Sequence, residues 1–205
     1  MTKHETFVAS GQSELVDFWN TVLAPKFVTY KHILVGGLSR HSAAVMPSLD
    51  VRRGDRILDV GCGFGDTAIA LAERTGPRGE VLGVDCCPAF IGQAWGHAEL
   101  SLTTNVGFKV CDVERGVGEG DFDFVFARFG TQFFANPVAG LRAMRSAMKP
   151  GGRMAHIVWR ERERNPWLCD AKAVVARSLP KLGEDARTCG PGPFSMADEE
   201  TTRAK

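Results

Sequence analysis

The chain has 205 residues, 44% of them hydrophobic, and a formal net charge of +1 at pH 7. A chain of this length and composition can bury one sizeable hydrophobic core. Its nearly balanced charge, with no run of five or more basic residues, argues against a nucleic acid or an anionic membrane surface as the partner. We therefore expect a small-molecule partner.

The N-terminus lacks the apolar stretch of a secretory signal, and no window approaches the roughly 18 apolar residues of a membrane span. This pattern predicts a cytoplasmic protein. The cysteines form no C-x-x-C motif and no cysteine and histidine cluster at zinc spacing, so neither a metal site nor a disulfide framework is expected. They are Cys62, Cys86, Cys87, Cys111, Cys169 and Cys189.

Apolar residues spaced three and four apart from about Ser13 to Met46 predict a helical N-terminal segment with one apolar stripe. We expect this segment to be interrupted near Pro25 and again at Gly36 and Gly37. Residues 1–48 are accordingly predicted to form a helical cover on the core, which could also fold over a ligand as a lid.

After residue 54 the pattern changes to short apolar runs separated by helical stretches. The predicted strands are 56–60, 80–84, 106–110, 122–127 and 153–159, and the predicted helices open at Asp66, near Pro88 and near Pro137. The segment "MKPGG" at 148–152 is expected to stop the third of these helices and turn the chain into the last strand. Alternation at this pitch predicts a doubly wound, mainly parallel Rossmann-like α/β sheet.

The last part of the sequence carries helical signals only. A helix is predicted over about 167–179, followed by a loop and the start of another helix. Five strands are therefore visible, and residues 161–205 are expected to be a helix with an incomplete C-terminal segment.

Three alternate glycines, Gly61, Gly63 and Gly65, follow the first predicted strand. Ligands of doubly wound sheets bind at such turns, beyond the carboxyl ends of the strands. A dinucleotide fingerprint would carry glycine where this chain has Asp66. We expect that carboxylate to cap the helix itself and to repel a phosphate, which favours a ligand without phosphates.

Two further acids lie near this turn. Asp85 closes the second predicted strand, where a carboxylate can accept both hydroxyls of a ribose. Asp59 lies inside the apolar first strand, where a carboxylate needs a partner to offset its desolvation. A ligand ammonium group would serve as that partner.

These segments resemble the successive motifs of a known family. "ILDVGCGFGDTA", "VLGVD", "CDVE", "FDFVFARFGTQFFANP" and "MKPGGRMAHIVW" are similar to those of class I S-adenosylmethionine-dependent methyltransferases, especially small-molecule enzymes of the quinone-biosynthesis and type 11 groups. The similarity spans about residues 50–160, and "FWN" and "NPW" also resemble that subgroup. Residues 49–160 are thus expected to form the S-adenosylmethionine-binding core.

The resemblance implies roles for the residues around the glycine turn. Gly61, Cys62, Gly63 and Gly65 would lie against the methionine part of the cofactor. Asp59 would lie near the cofactor's amino group, directly or through a water molecule.

It also implies contacts to the nucleoside. Asp85 would accept hydrogen bonds from the ribose hydroxyls, and Cys86 would pack beside the adenine. Asp112 would accept a hydrogen bond from the adenine amino group, with the backbone of Val113 beside it.

On the acceptor side, the resemblance implies that Arg128 and Phe129 line the space between the sulfonium and the methyl acceptor. No catalytic base is assigned. His156 falls in the fifth predicted strand and is expected to be a packed or hydrogen-bonded histidine, whereas His32 and His41 belong to the N-terminal cover.

The family's sheet normally ends with an antiparallel hairpin, and the usual last two strands are absent from this sequence. We expect such a sheet to leave an apolar edge open, so that the chain could be unstable, inactive or a homodimer through that edge. Two alternatives to an active methyltransferase stay open here. One is a truncated, non-catalytic cofactor-binding remnant, and the other is an NAD-dependent oxidoreductase.

Overall fold

The computed structural model describes residues 13–166, 170, 173–175, 177 and 191–204. Within them lies a five-stranded sheet in the order β3-β2-β1-β4-β5, with every neighbouring pair parallel. The strands are β1 (Arg56–Val60), β2 (Glu80–Asp85), β3 (Val106–Val110), β4 (Phe122–Arg128) and β5 (Met148–Ile157). The sequence-based prediction of a doubly wound parallel sheet is confirmed.

The predicted turn at 148–152 is wrong in one respect. β5 begins already at Met148, which pairs with Phe122, and the next register pair is Phe124 with Arg153. The proline and glycines therefore form an irregularity inside the strand instead of a turn before it. Proline and glycine are tolerated at such positions because an irregular stretch does not need every ladder hydrogen bond. β5 also ends at Ile157, two residues earlier than predicted.

Helices cover both faces of the sheet. After three N-terminal helices, described next, come α4 (Asp66–Thr75), α5 (Pro88–Leu100), α6 (Pro137–Ala147) and α7 (Glu199–Ala204). α4, α5 and α6 open where the sequence predicts them, α5 and α6 with proline in the first turn. Short 3-10 turns occupy Met46–Ser48, Val113–Arg115, Thr131–Phe133 and Arg162–Arg164. The helix predicted over 167–179 lies largely outside the described residues.

The N-terminal segment is helical as predicted, and one of its two predicted interruptions is present. α1 (Glu14–Phe18) continues through a π-helical turn (Trp19–Leu23) into α2 (Ala24–Thr29), and α3 (Lys31–Val45) follows. Pro25 lies in the first turn of α2, directly after the π-helical turn, so the helical pattern changes near this proline as predicted. A further interruption lies at Tyr30, whose backbone (φ −100°, ψ 19°) is not helical. Gly36 and Gly37 lie inside α3, so the break predicted there is wrong.

Two buried clusters define the core, one on each face of the sheet. On one face Ile57, Val81 and Phe126 pack against α4 and α5. On the other face Leu58 and Val125 belong to the cluster that includes Met144 of α6. Successive residues of a strand point to opposite faces, so the continuous apolar runs of the sequence fill both layers.

None of the helices in the described ranges has the length and apolar character needed to cross a membrane. Among the residues described, no group of three or more histidine, cysteine, aspartate or glutamate side chains is arranged to hold a metal ion. Cys62, Cys86, Cys87 and Cys111 are free thiols.

Candidate active site

The glycine turn lies where the strand order reverses, since β1 is flanked by β2 on one side and β4 on the other. Gly61 and Cys62 donate backbone hydrogen bonds to the carbonyl of Val84, at 2.8 and 3.0 Å. A Cβ on Gly61, whose φ is +67°, would approach the Cα of Gly130 to 3.0 Å. The turns after β1 and β4 therefore meet backbone to backbone, which requires glycine at this position.

The other two glycines of the turn differ in what they face. Gly63 (φ +53°) has open space where a Cβ would be, and it lines a cavity. Gly65 (φ +83°) is the N-cap of α4, and a Cβ there would come within 2.9 Å of both Ala94 and Phe108. Gly65 does not line the cavity, so its glycine is required by packing, and the expectation that it contacts the ligand is not supported by its position.

Asp85 links the end of β2 to the glycine turn through hydrogen bonds. Its Oδ2 accepts a hydrogen bond from Gly63 N (3.0 Å), and its Oδ1 accepts one from Cys87 N (2.9 Å). Burial raises the pKa of this carboxyl to about 6, against the lowering effect of those hydrogen bonds. Each carboxylate oxygen has a second lone pair, so Asp85, which lines the cavity, can still accept two ligand hydroxyls.

Asp59 is fully buried beneath the turn and does not itself line the cavity. Its Oδ2 accepts a short hydrogen bond from Thr67 Oγ1 (2.6 Å), whereas Oδ1 has no hydrogen-bond partner among the described residues. Burial raises the pKa of Asp59 to about 7, and the Thr67 hydrogen bond opposes this rise. An unpaired carboxylate oxygen below a glycine turn is suited to a cationic group nearby, directly or through water.

Asp66 does not cap α4 as the sequence predicted, because Gly65 occupies the N-cap. Its carboxylate forms a bidentate ion pair with Arg128, with Asp66 Oδ2 to Arg128 Nη1 at 2.8 Å and Asp66 Oδ1 to Arg128 Nη2 at 3.0 Å. Arg128 Nη1 also donates to Ser42 Oγ of α3 (2.7 Å). Both charged side chains are largely buried, so this pair joins β4, α4 and the N-terminal helices at the cavity wall.

The far end of the cavity is formed by the segments after β2 and β3. Cys86, Asp112 and Val113 all line it. Asp112 Oδ1 caps the following 3-10 turn by accepting a hydrogen bond from Glu114 N (3.2 Å). Burial raises the pKa of the Cys86 thiol, which therefore stays protonated and behaves as an apolar group.

A single cavity of about 390 Å³ connects these groups. Nine of the eleven predicted cofactor residues line it, the exceptions being Asp59 and Gly65. The nine are Gly61, Cys62, Gly63, Asp85, Cys86, Asp112, Val113, Arg128 and Phe129. The volume lies in the range that small-molecule ligands occupy.

The wall opposite the glycine turn is apolar and is supplied by the N-terminal helices. It includes Leu15, Val16, Leu34 and Leu38. Trp19 lies at its centre and makes edge-on ring contacts with Phe27, Phe90 and Phe133, at centroid distances of 5.3, 6.3 and 5.0 Å. The cavity therefore has a polar half at the strand ends and an apolar half under the helical cover.

Phe129 and Trp159 form a second aromatic contact at the cavity. Their rings stack at a centroid distance of 4.1 Å, and His41 of α3 lies edge-on to both. Phe129 has φ +58°, a conformation that costs a non-glycine residue about 1–2 kcal/mol. Strain of this kind is concentrated at functional sites.

None of the three histidines considered as bases lines the cavity. His32 and His41 are exposed on α3. His156 lies in β5, its Nδ1 is 3.4 Å from Thr131 Oγ1, and burial lowers its pKa. The expectation that His156 is a packed, hydrogen-bonded residue agrees with this geometry.

The cavity wall described here is rich in negative charge. Asp85, Asp112 and Glu114 contribute to it, whereas the charge of Asp66 is offset by Arg128, with which it pairs on the same wall. A wall of this sign favours a cationic ligand and disfavours a pyrophosphate. This supports the expectation of a ligand without phosphates, although the support comes from the other three acids and not from Asp66 as a helix cap.

One polar residue of the wall was not assigned from the sequence. Gln132 lines the cavity although it is only 1% exposed. It lies in the 3-10 turn Thr131–Phe133 after β4, within the segment "FGTQFF". The signal that could have identified it is an amide side chain in a run of aromatic residues close to a strand end.

Comparison with known proteins identifies the family to which the chain belongs. The family model described as a methyltransferase domain matches residues 52–185, more than half of the chain. The chain belongs to the class I S-adenosylmethionine-dependent methyltransferases. The family's cofactor is S-adenosylmethionine, as predicted, and the NAD-dependent alternative is not supported.

Individual relatives agree with this family. A demethylmenaquinone methyltransferase of Staphylococcus carnosus is 33% identical over 109 residues, which cover 53% of this chain and 44% of the relative. The chain thus matches about half the length of this curated relative.

Solved structures agree as well. A methyltransferase from Aquifex aeolicus shares the fold at a TM-score of 0.59, with 21% identity, 79% of this chain and 74% of that chain. An S-adenosylmethionine-dependent O-methyltransferase from Thermotoga maritima has a TM-score of 0.51, with 28% identity, 64% of this chain and 48% of that chain.

The residues of this chain fit the cofactor on four observations. The space above Gly63 is open to a ligand, and Asp85 retains free acceptor sites. Asp59, whose Oδ1 has no hydrogen-bond partner among the described residues, lies in β1 two positions before Gly61. The acidic wall suits a cofactor that carries a sulfonium charge.

Proposed function

We propose that this chain transfers the methyl group of S-adenosylmethionine to an uncharged, largely apolar small-molecule acceptor. The observation that carries the proposal is the two-sided cavity. Its polar half lies at the carboxyl ends of β1, β2 and β4, and its apolar half is formed by the helices of residues 14–45.

The proposed contacts of the cofactor follow the polar half. Gly61, Cys62 and Gly63 would form the surface against its methionine part, and Asp59 would act on its amino group from below. This placement is supported by the open space at Gly63 and by the buried, unpaired carboxylate oxygen of Asp59.

The nucleoside would extend toward β2 and β3. Asp85 would accept the ribose hydroxyls, Cys86 would pack beside the adenine, and Asp112 with the Val113 backbone would bind its polar edge. Support comes from the position of these residues along one cavity and from the spare lone pairs of Asp85.

Arg128 and Phe129 would mark the boundary between cofactor and acceptor. Gly65 is not part of this proposal, because its neighbours are Ala94 and Phe108. The Asp66 carboxylate neutralises Arg128 and leaves no free cation on the described wall to attract an anionic acceptor.

The bound cofactor supplies a methyl group already activated by a positively charged sulfur. The chain's contribution is therefore mainly positioning, which in favourable cases supplies about 7–11 kcal/mol of barrier reduction. The helical cover with Trp19 would exclude water and hold the acceptor against the methyl donor. We assign no catalytic base.

An apolar ring compound is the proposed acceptor class. The aromatic contacts of Trp19 and the stacked Phe129 and Trp159 offer flat apolar surfaces. The S. carnosus relative is named for demethylmenaquinone, which is consistent with this class.

Calorimetric titration of the chain with S-adenosylhomocysteine, the product form of the cofactor, tests the cofactor half. We expect binding that Asp85→Ala weakens at least tenfold, because two ribose hydrogen bonds to a charged group are lost. NAD is the control ligand and is expected not to bind. Arg52→Ala, a surface change far from the cavity, is the control variant.

The acceptor half is tested by incubating the chain with S-adenosylmethionine and a panel of phenols and quinols, with S-adenosylhomocysteine release as the readout. Turnover restricted to apolar ring acceptors is expected. Binding of NAD with the affinity of S-adenosylhomocysteine, or wild-type binding by Asp85→Ala, would contradict the proposed function.

A further inference from the structure

Gln132 is a polar side chain at the border of the apolar half of the cavity, because it follows β4 and its neighbour Phe133 contacts Trp19 of the helical cover. It is 1% exposed and lines the cavity together with the neighbouring Phe133 and Phe134. Buried amides nearly always have partners for both ends of the side chain. Both the Oε1 and the Nε2 end of the Gln132 amide should therefore have a partner.

The orientation of the amide is fixed by one hydrogen bond. The backbone N–H of Trp159 donates to Gln132 Oε1 at 3.2 Å. A backbone N–H can only donate, so the oxygen of the amide must face it. The Nε2 group is then the other end, and it is buried with no hydrogen-bond partner among the residues described.

Gln132 is also held at its backbone. Its carbonyl accepts a hydrogen bond from Ser195 Oγ, and the 3-10 turn around it closes through Phe133 N to Gly130 O (3.0 Å) and Phe134 N to Thr131 O (3.2 Å). The side chain is thus held at Oε1 and the backbone at its carbonyl, which limits how far the amide can turn from this orientation. Such a group is preorganised for a ligand atom that approaches it.

The surroundings make this donor selective. The wall contributed by the N-terminal helices consists of side chains such as Leu15, Leu34 and Leu38, which offer no hydrogen bond. In an apolar pocket a single donor discriminates strongly between a ligand with an acceptor oxygen and one without it. A neutral amide N–H₂ accepts nothing, so it pairs only with a ligand atom that has an acceptor lone pair, such as a carbonyl or hydroxyl oxygen.

We propose that Gln132 Nε2 is the donor that recognises an oxygen on the methyl acceptor, and that the acceptor is an apolar ring compound carrying a neutral carbonyl or hydroxyl oxygen. Gln132 is on this basis a specificity-determining residue. The inference rests on the proposed function, because it places the acceptor in the apolar half of the same cavity.

Two tryptophans that line the cavity, Trp19 and Trp159, also carry a neutral N–H donor. Trp19 carries an indole N–H and lines the cavity. Trp19→Phe removes that N–H while keeping an aromatic ring, and it is therefore the matched control for Gln132.

The test compares two probes with one skeleton, the bicyclic ketone 1-tetralone and the hydrocarbon tetralin. Their dissociation constants are measured at pH 8 by ligand-detected NMR, with and without saturating S-adenosylhomocysteine. The readout is the ratio of the two constants within each protein, which cancels general losses of packing. The proteins are wild type, Gln132→Met, Gln132→Glu and Trp19→Phe.

We expect the preference for the ketone to fall about fivefold to tenfold in Gln132→Met, because the hydrogen bond to the carbonyl is lost. Gln132→Glu keeps an acceptor for the Trp159 N–H and replaces the donor by a second carboxylate oxygen, so an equal or larger fall is expected. Trp19→Phe should weaken both probes and leave their ratio unchanged.

A measurement on wild type alone decides the same point. The carbonyl stretching frequency of bound 1-tetralone should lie below its value in hexane, as expected for a hydrogen-bonded carbonyl. A frequency equal to that in hexane would overturn the proposal. So would an unchanged ratio in both Gln132 variants, or a fall confined to Trp19→Phe.

The outcome is separable from that of the proposed function. Failure of S-adenosylhomocysteine to bind would count against the proposed function, whereas the probe ratio measured without it still tests Gln132. A normal cofactor titration with no ketone preference would overturn only the role of Gln132.

Discussion

Substituting alanine for Gly63 and for Gly65 separates a glycine that faces the ligand from one that faces the core. The two residues are two positions apart in the same turn and both have positive φ, +53° and +83°. A Cβ at Gly63 meets no atom within 4 Å, whereas at Gly65 it meets Ala94 and Phe108 at 2.9 Å. Alanine at Gly63 should therefore weaken ligand binding, and alanine at Gly65 should lower the stability of the fold.

The magnitudes follow from these contacts. Placing alanine at a left-handed position costs about 1–2 kcal/mol, which both variants bear. Gly65→Ala adds overpacking of about 1–3 kcal/mol, for a total of about 2–5 kcal/mol. At roughly 2–4 °C per kcal/mol for a chain of this size, Gly63→Ala should lower Tm by about 2–8 °C and Gly65→Ala by about 4–20 °C.

Ligand affinity should be reduced more in Gly63→Ala than in Gly65→Ala, the opposite of the order expected for Tm. The added methyl of Gly63→Ala enters the cavity, so we expect its affinity for S-adenosylhomocysteine to fall at least about tenfold. Gly65→Ala, measured below its own Tm, should bind within about threefold of wild type because its methyl points into the core. Thermal unfolding and calorimetric titration supply the two readouts, with Gly92→Ala on the open surface of α5 as the control.

Wild-type affinity in Gly63→Ala would refute the reasoning, since the ligand would then not approach the glycine turn. A large loss of affinity in a folded Gly65→Ala would contradict the assignment of Gly65 to core packing.

Three further predictions concern the buried charges. Because the raised pKa of Asp85 is about 6, affinity for S-adenosylhomocysteine should weaken about tenfold from pH 7 to pH 5 as the carboxyl gains a proton, and Asp85→Asn should flatten this titration; a wild-type profile unchanged over this range would contradict it. Asp66→Asn should lower the free energy of unfolding by about 2–4 kcal/mol, because Arg128 is left buried without its counter-charge. Urea denaturation should show that adding Arg128→Met recovers at least half of that loss, and no recovery would argue against the pair. The pKa of Asp59 is raised from 3.8 to about 7, so stability without cofactor should fall as pH rises from about 4 to 7, by about 2–4 kcal/mol. Asp59→Asn should reduce this fall, and the part that remains should disappear when Asp85→Asn is added, because the raised pKa of Asp85 acts in the same direction. A fall of unchanged size in Asp59→Asn would contradict the role of Asp59.

The elements of the core could be predicted because their signals are local. A strand such as 106–110 is a short apolar run bounded by turn residues, and α6 begins with proline in its first turn. The errors arise where tertiary contacts outweigh local preference. Gly36 and Gly37 stay helical inside α3, and the "MKPGG" segment is drawn into β5 by its pairing with β4.

The candidate site was predictable in part for the same reason. Asp85 and Gly63 lie directly at strand ends, and in parallel sheets strand ends meet at one edge. What each neighbouring residue faces could not be read from spacing. Gly65 and Gly63 look alike in the sequence, yet one packs against α5 and β3 and the other lines the cavity.

The sequence by itself determined the succession of strands and helices along the chain, the position of the glycine turn and the acids beside it. Periodicity and strand-end chemistry act over a few residues and can therefore be read locally. Tertiary structure decided the pairing of Arg128 with Asp66, the apolar wall supplied by the N-terminal helices and the orientation of the Gln132 amide toward Trp159. Each of these depends on residues far apart in the chain, whose contacts exist only once the two faces of the sheet are packed.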